Sequence, residues 1–140
     1  MRLSSEEARR RFAASRSAVL GTADAEGRPH LVPVTFAAVH GNVLIAIDDK
    51  PKQTADLKRL RNIAANPLVS LLADRYDDDW TRLWWARADG VARIVAEPGA
   101  LPSGLLTELR GRYPHYADNA PAGPFVVVAV ERWSGWSFAA

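Results

Sequence analysis

Three β-forming runs, residues 17–23, 29–39 and 43–47, follow one another with only Ala25-Glu26-Gly27-Arg28 and His40-Gly41-Asn42 between them. That spacing constrains the fold more than any other feature. Strands joined so closely pair as antiparallel neighbours, because a parallel crossover needs roughly a dozen residues. Ahead of them, Ser4 and Glu7 stand at the spacing of a capping box. A helix is therefore expected over 6–14, anchored by Phe12. The chain opens as a helix followed by a meander.

From residue 54 to 65 the apolar period changes to helical, with Leu57, Leu60, Ile63 and Ala64 assigned to one face and Pro67 closing the element. Residues 68–73 read as a strand and 74–79 as an acidic connection. Residues 81–95 read as one long strand or two, with Gly90 marking a bulge or bend. A second helix is expected over 104–112 and a Pro- and Gly-punctuated loop over 113–124. The apolar run 125–130 reads as a strand, and Trp133-Ser134-Gly135-Trp136 as a separate last one. Six or seven strands with irregularly inserted helices argue against a doubly wound parallel sheet. The expectation is a mainly β fold, an antiparallel β-barrel with flanking helices, as one domain over 1–140.

The bulk numbers fit such a domain. Hydrophobic residues make up 48% and charged residues 24% of 140, the balance of a globular protein. There is no cysteine, which excludes disulfides and thiolate metal sites. No apolar run approaches the roughly 20 residues that span a bilayer. The first residues lack the apolar core of a signal peptide. The expectation is a cytoplasmic protein with no membrane partner.

Charge is distributed unevenly. The net charge is +2, yet residues 50–61 alone carry +4, from Lys50, Lys52, Lys58, Arg59 and Arg61 against Asp56. The chain has 15 arginines and three lysines, and all three lysines fall in that segment. Lysine is a compact point charge suited to a phosphate, whereas arginine prefers a fixed bidentate fork. A phosphate site and a solvated helix face both remain open on this ground. If a phosphate binds, Lys52, with Lys50 beside it, stands where loop cations meet the N-terminal end of a helix. Lys58 and Asn62 are placed opposite the apolar stripe, and Arg59 and Arg61 on its two flanks.

Five tryptophans stand at 80, 84, 85, 133 and 136. Trp84 and Trp85 are adjacent on a strand, so their side chains face opposite sides. Packing is the expected role for each tryptophan, with Trp80, after a polar loop, also a candidate for a cofactor or an interface. Asp77-Asp78-Asp79 has no histidine near it and reads as solvated. His30, His40 and His115 lack zinc-ligand spacing. There is no nucleophile elbow, P-loop or GxGxxG, so no catalytic residue is named. If the chain is an enzyme, a bound cofactor carries the chemistry. The basic stretch has no interleaved aromatic platform, which argues against nucleic acid as a partner.

The run from Gly21 to Lys52, then Leu57 to Asp74, then Asp77-Asp78-Asp79-Trp80, then Ala88 to Ile94, resembles the pyridoxamine 5'-phosphate oxidase-like family. Within it, the order of motifs is similar to the actinobacterial branch that depends on coenzyme F420, a deazaflavin. The most specific parts are Gly27-Arg28-Pro29-His30, the helix end Arg61-Asn62-Ile63-x-x-Asn66-Pro67, and the Asp-Asp-Asp-Trp loop.

This resemblance implies a six-stranded antiparallel split β-barrel of the FMN-binding type. It also implies a homodimer with two cofactor sites at the subunit interface. By position, Val32, Pro33, Val34 and Thr35 would line the tricyclic ring, partly through backbone groups. Lys52, Lys58 and Arg59 would meet the cofactor phosphate, with Arg61 and Asn62 in support. Trp80 would approach the cofactor across the dimer. The implied activity is hydride transfer from reduced F420 to a small conjugated or heteroaromatic acceptor. The alternatives are an FMN-dependent oxidase or reductase of the same barrel, and a non-catalytic flavin- or deazaflavin-binding protein.

Overall fold

The computed structural model describes residues 1–47 and 57–139. Helix α1, Ser5–Ala14, begins where Ser4 accepts a hydrogen bond from the Glu7 amide at 3.1 Å, so the expected cap forms. Strands β1, Ala18–Ala23, and β2, Pro29–Val34, pair antiparallel from Ala18↔Val34 to Ala23↔Pro29. Strands β3, Ala37–Val39, and β4, Asn42–Ala46, form a second hairpin. Its two turn residues, His40 and Gly41, have φ of 49° and 80°, the left-handed pair that a tight hairpin requires.

Helix α2 runs over Lys58–Ala65, and β5, Leu68–Arg75, follows it. A 3-10 turn over Trp80–Arg82 leads into β6, Trp84–Val95. Helices α3, Leu105–Arg112, and α4, Pro114–Asp118, precede the last strand, β7, Phe125–Ser137. Among the described residues no helix is long and apolar enough to cross a membrane.

The strands form one seven-stranded sheet in the order β2-β1-β5-β6-β7-β4-β3. Here the expectation of a continuous strand over 29–39 fails. Its two halves are β2 and β3, which lie at opposite edges of the sheet and are joined only through Thr35 and Phe36. The sheet is therefore rolled until its edges meet at that crossover, which makes it a barrel. The same break raises the expected six strands to seven. The expected separate strands over 125–130 and 133–136 are instead one strand, β7, and the predicted loop over 113–124 contains α4.

The β6–β7 register shifts between Asp89 and Gly90, where a bulge was expected. The Ala129 carbonyl lies so close to Gly90 that a Cβ there would meet its oxygen at 2.3 Å. Only glycine admits this approach.

Two apolar cores flank the barrel wall. Inside lie Phe12, Leu20, Phe36, Ile45, Leu71 and Val126, with the Phe12 ring 4.7 Å from Phe36 and 5.3 Å from Trp133. Outside β4 and β7, the buried Leu44, Phe125 and Val127 pack under Leu105, Leu109 and Tyr116 of α3 and α4. Both faces of β4 and of the first half of β7 are covered, which is why those segments read as unbroken apolar runs. Trp84 and Trp85 diverge as alternation requires. Trp84 packs on the inner core beneath Arg11, and Trp85 faces outward beside Arg87.

The crossover is clamped from outside. The Tyr113 hydroxyl accepts from the Phe36 amide at 3.2 Å and lies 2.9 Å from the Arg16 carbonyl and 3.0 Å from that of Phe36. Its neighbour Arg112 donates to the carbonyls of Ala13, at 2.6 Å, and Ser15. The guanidinium also stacks over the Phe36 ring at 5.1 Å.

Candidate functional site

The crossover forms one wall of a cleft of about 290 Å³. Pro33, Val34 and Thr35 come from the end of β2, and Arg59 from the first turn of α2. Ser17, just before β1, and Ile45 and Ala46 of β4 complete the lining. Each piece arrives through local structure. Antiparallel pairing of β1 with β2 brings Ser17 beside the end of β2, and barrel closure brings β4 to the same place.

Of the residues expected to bind a cofactor, the structure brings Pro33, Val34, Thr35 and Arg59 together. Val32 does not join them. It points into the barrel and packs on the inner core. Lys50 and Lys52 lie outside the described residues.

Of the face expected for α2, Leu57, Leu60 and Ile63 pack on the inner core and Ala64 does not. Leu60, Asn62 and Ile63 are buried, whereas Ala64 is exposed. By helical periodicity the buried arc runs from Asn62 through Arg59 and Ile63 to Leu60, so it widens toward Asn62 and stops short of Ala64. Leu57, the N-cap, precedes the first helical turn and packs half-buried against the same core.

Three of the residues expected at the cofactor do not line the cleft. Asn62 is 3% exposed and donates its side-chain amide to Thr22 Oγ1 at 3.0 Å. It ties α2 to β1 inside the fold. Lys58 is exposed and does not line the cleft. The Asp24 carboxylate accepts from the amides of Glu26 and Arg28, each at 2.9 Å. It is held below the ordinary aspartate range first by the Arg28 amide, then by the Glu26 amide and the charges of Lys58 and Arg28. Arg61 is exposed and also lies outside the cleft lining.

Trp80 is 58% exposed on the β5–β6 connection and does not line the cleft within this chain. The neighbouring aspartates shape that connection. Asp77 accepts from the Asp79 amide at 2.8 Å, and Asp79 caps the 3-10 turn through the Thr81 amide at 3.1 Å and hydroxyl at 2.6 Å.

Ser17, Ile45 and Ala46 are the lining residues that sequence reasoning missed. They reach the cleft only through barrel closure, and no short-range pattern carries that information. The described lining contains no carboxylate and no imidazole. It offers one guanidinium, two hydroxyls and an apolar wall, which can hold an anion and a flat ring but supply no acid–base pair.

The sequence profile of the pyridoxamine 5'-phosphate oxidase family matches residues 4–137. The chain belongs to the pyridoxamine 5'-phosphate oxidase family. No curated protein matches it in sequence at a significant level. Among solved structures, the conserved hypothetical protein Rv2991 from Mycobacterium tuberculosis is similar at 25% identity and a TM-score of 0.69, over 96% of this chain and 85% of that one. The FAD binding protein from Mycobacterium smegmatis superposes with a TM-score of 0.65 at 21% identity, over the whole of both chains. HutZ, the heme storage protein from Vibrio cholerae, does so with 0.67 at 19% identity, over 93% and 91%. The last two share the fold of this pyridoxamine 5'-phosphate oxidase family member at identities that speak to fold alone.

Proposed function

We propose that the cleft at the β2–β3 crossover holds the ring and phosphate of coenzyme F420, and that the chain is an oxidoreductase acting on a small conjugated or heteroaromatic acceptor. The observation that carries this reading is the meeting of Pro33, Val34 and Thr35 with Arg59 in one cleft. A proline-stiffened strand end offers a flat wall for a ring, and the guanidinium matches a phosphate through charge-assisted hydrogen bonds. F420, when bound, supplies the hydride. The protein orients it and keeps water from the ring. The missing acid–base constellation fits such a division of labour.

A volume of about 290 Å³ sits at the small end of ligand sites, so the reading includes a second copy that completes the enclosure. The outer face of β2-β1-β5 supports a homodimer. Val19, Leu31, Leu68 and Leu72 are 36%, 70%, 63% and 39% exposed there, an apolar patch of the kind that marks association. Pro33 pairs with Val19, and Val19 with Leu72, so the patch runs to the cleft. In such a dimer Trp80 would approach the partner's cleft.

An FMN-dependent reading uses the same residues, because FMN also presents a ring and a phosphate. It is favoured by the fold shared with the mycobacterial FAD binding protein. Parallel fluorescence and absorbance titrations with F420 and FMN separate the two. Tighter binding of F420 by about tenfold or more, with oxidation of reduced F420 by an acceptor panel, is the expected result. The reverse preference replaces F420 by FMN. Tight F420 binding without turnover on any acceptor replaces the enzyme by a binding protein. Failure of both cofactors removes the reading.

A further inference from the structure

The second half of β7 carries an outward face that the cofactor cleft does not use. Across the β6–β7 ladder, Trp85 stands opposite Trp136, Arg87 opposite Ser134 and Asp89 opposite Arg132. The N-terminal residues add themselves along the free edge of the same strand. The Leu3 amide donates to the Gly135 carbonyl at 2.9 Å and the Ser137 amide to that of Met1 at 2.8 Å. Arg2 forms a bridge with Trp136.

Between this added segment and the sheet lies a cleft of about 480 Å³, lined by Arg2, Ser5, Trp85, Arg87, Arg132 and Trp136 among others. It is larger than the cleft at the crossover and shares no lining residue with it. Its volume is in the range of small-molecule sites.

The charges around it do not balance. Arg87 is paired with Asp89, Nε to Oδ2 at 3.2 Å, and lies 5.3 Å from the Trp85 ring centroid. Asp89 is further occupied by the Ser70 hydroxyl at 2.5 Å. Asp89 and Glu131 line the adjacent cleft on the β5 side. Arg2 and Arg132 make no ion pair and no side-chain hydrogen bond among the described residues. Two uncommitted guanidinium groups thus face a space lined by three tryptophans; Trp133 packs on Phe12, Trp85 faces outward, and Trp136 is 37% exposed. Guanidinium forks bind carboxylates in two-point contacts, and indole faces bind flat rings.

We propose that this cleft is a second ligand site, selective for an aromatic carboxylate whose ring lies against Trp136 and Trp85 and whose carboxylate engages Arg132 and Arg2. The site is independent of the cofactor cleft and of the cofactor's identity.

Calorimetric titration of the full chain with 2-naphthoate tests it, with the neutral 2-naphthalenemethanol as the charge control. Saturable binding of one naphthoate per chain is expected. Arg132→Gln and Arg2→Gln each weaken it roughly tenfold, as does removing the probe's charge. Arg59→Ala leaves it unchanged. Both arginines in these variants are at the surface, so the variants fold. The proposal is overturned if naphthoate gives no saturable heat, which includes a face occluded by a second copy. Equal affinity in the Arg132→Gln and Arg2→Gln variants overturns it as well. So does loss of binding in Arg59→Ala, which would place the probe in the cofactor cleft.

Discussion

Asn62 and Thr22 are joined by a single buried hydrogen bond, the side-chain amide to Oγ1 at 3.0 Å, that fastens α2 to β1. Asn62 would be a supporting cofactor residue if the sequence resemblance were carried over literally. Its side chain is buried and committed to Thr22, so the expected effect of removing it falls on stability. Asn62→Ala leaves a buried hydroxyl without its donor, and such orphaned groups cost about 1–3 kcal/mol. Urea unfolding of the variant should show that loss, with cofactor affinity of the folded protein held within about twofold. A normal stability with weakened cofactor binding would reverse the assignment.

Arg59 and Lys58 are neighbours with opposite fates, one lining the cleft and one exposed outside it. Arg59→Ala should weaken cofactor binding by roughly tenfold to a hundredfold, the worth of a charge-assisted hydrogen bond. Lys58→Ala should leave it within about twofold. Fluorescence titration of both variants side by side decides the matter, and equal effects would contradict the geometry.

Tyr113→Phe removes the hydroxyl that holds Phe36 and Arg16 at the crossover. The Phe36 amide loses the side-chain oxygen to which it donates, at a cost of about 1–2 kcal/mol. Chemical denaturation should register that shift, and hydrogen exchange at the Phe36 amide should accelerate.

Gly90→Ala forces a methyl group onto the Ala129 carbonyl. Overpacking of this kind costs about 1–3 kcal/mol. Thermal unfolding should fall by several degrees, whereas Gly99→Ala, where a Cβ meets nothing within 4 Å, should leave it unchanged.

The homodimer reading is checked at Leu31. Leu31→Glu places a charge at the centre of the apolar patch on β2-β1-β5 and should convert a dimer to a monomer in light scattering. The reduced enclosure should also weaken cofactor binding. A wild-type monomer, or an unchanged dimer in the variant, would remove this face as the interface.

Much of the fold was legible because local rules decided it. The Ser4–Glu7 spacing caps α1, the turn residues fix the two hairpins, and the long apolar run of β7 reflects a strand covered on both faces. The break at Thr35 and Phe36 was not legible, because β2 and β3 form an unbroken β-compatible stretch and only global closure sends them to opposite edges. The face of α2 was legible only in part for a related reason. Its buried arc contains a polar residue and an arginine, Asn62 and Arg59, so hydrophobic periodicity found Leu60 and Ile63 but not that side of the arc. Pro33, Val34, Thr35 and Arg59 were identified through resemblance, and Ser17, Ile45 and Ala46 needed the closed barrel to be seen.

Because the crossover is where the rolled sheet meets itself, anything held between β2, β4 and α2 acts as a staple across a seam. Opening the seam and releasing the ligand become one thermodynamic event. Occupancy should therefore raise the free energy of opening by RT ln(1 + [L]/Kd), about 2.7 kcal/mol at a hundredfold excess over Kd. The amides of Phe36 and Ala37 would then exchange more slowly when the cleft is filled than when it is empty, so the seam itself reports on loading.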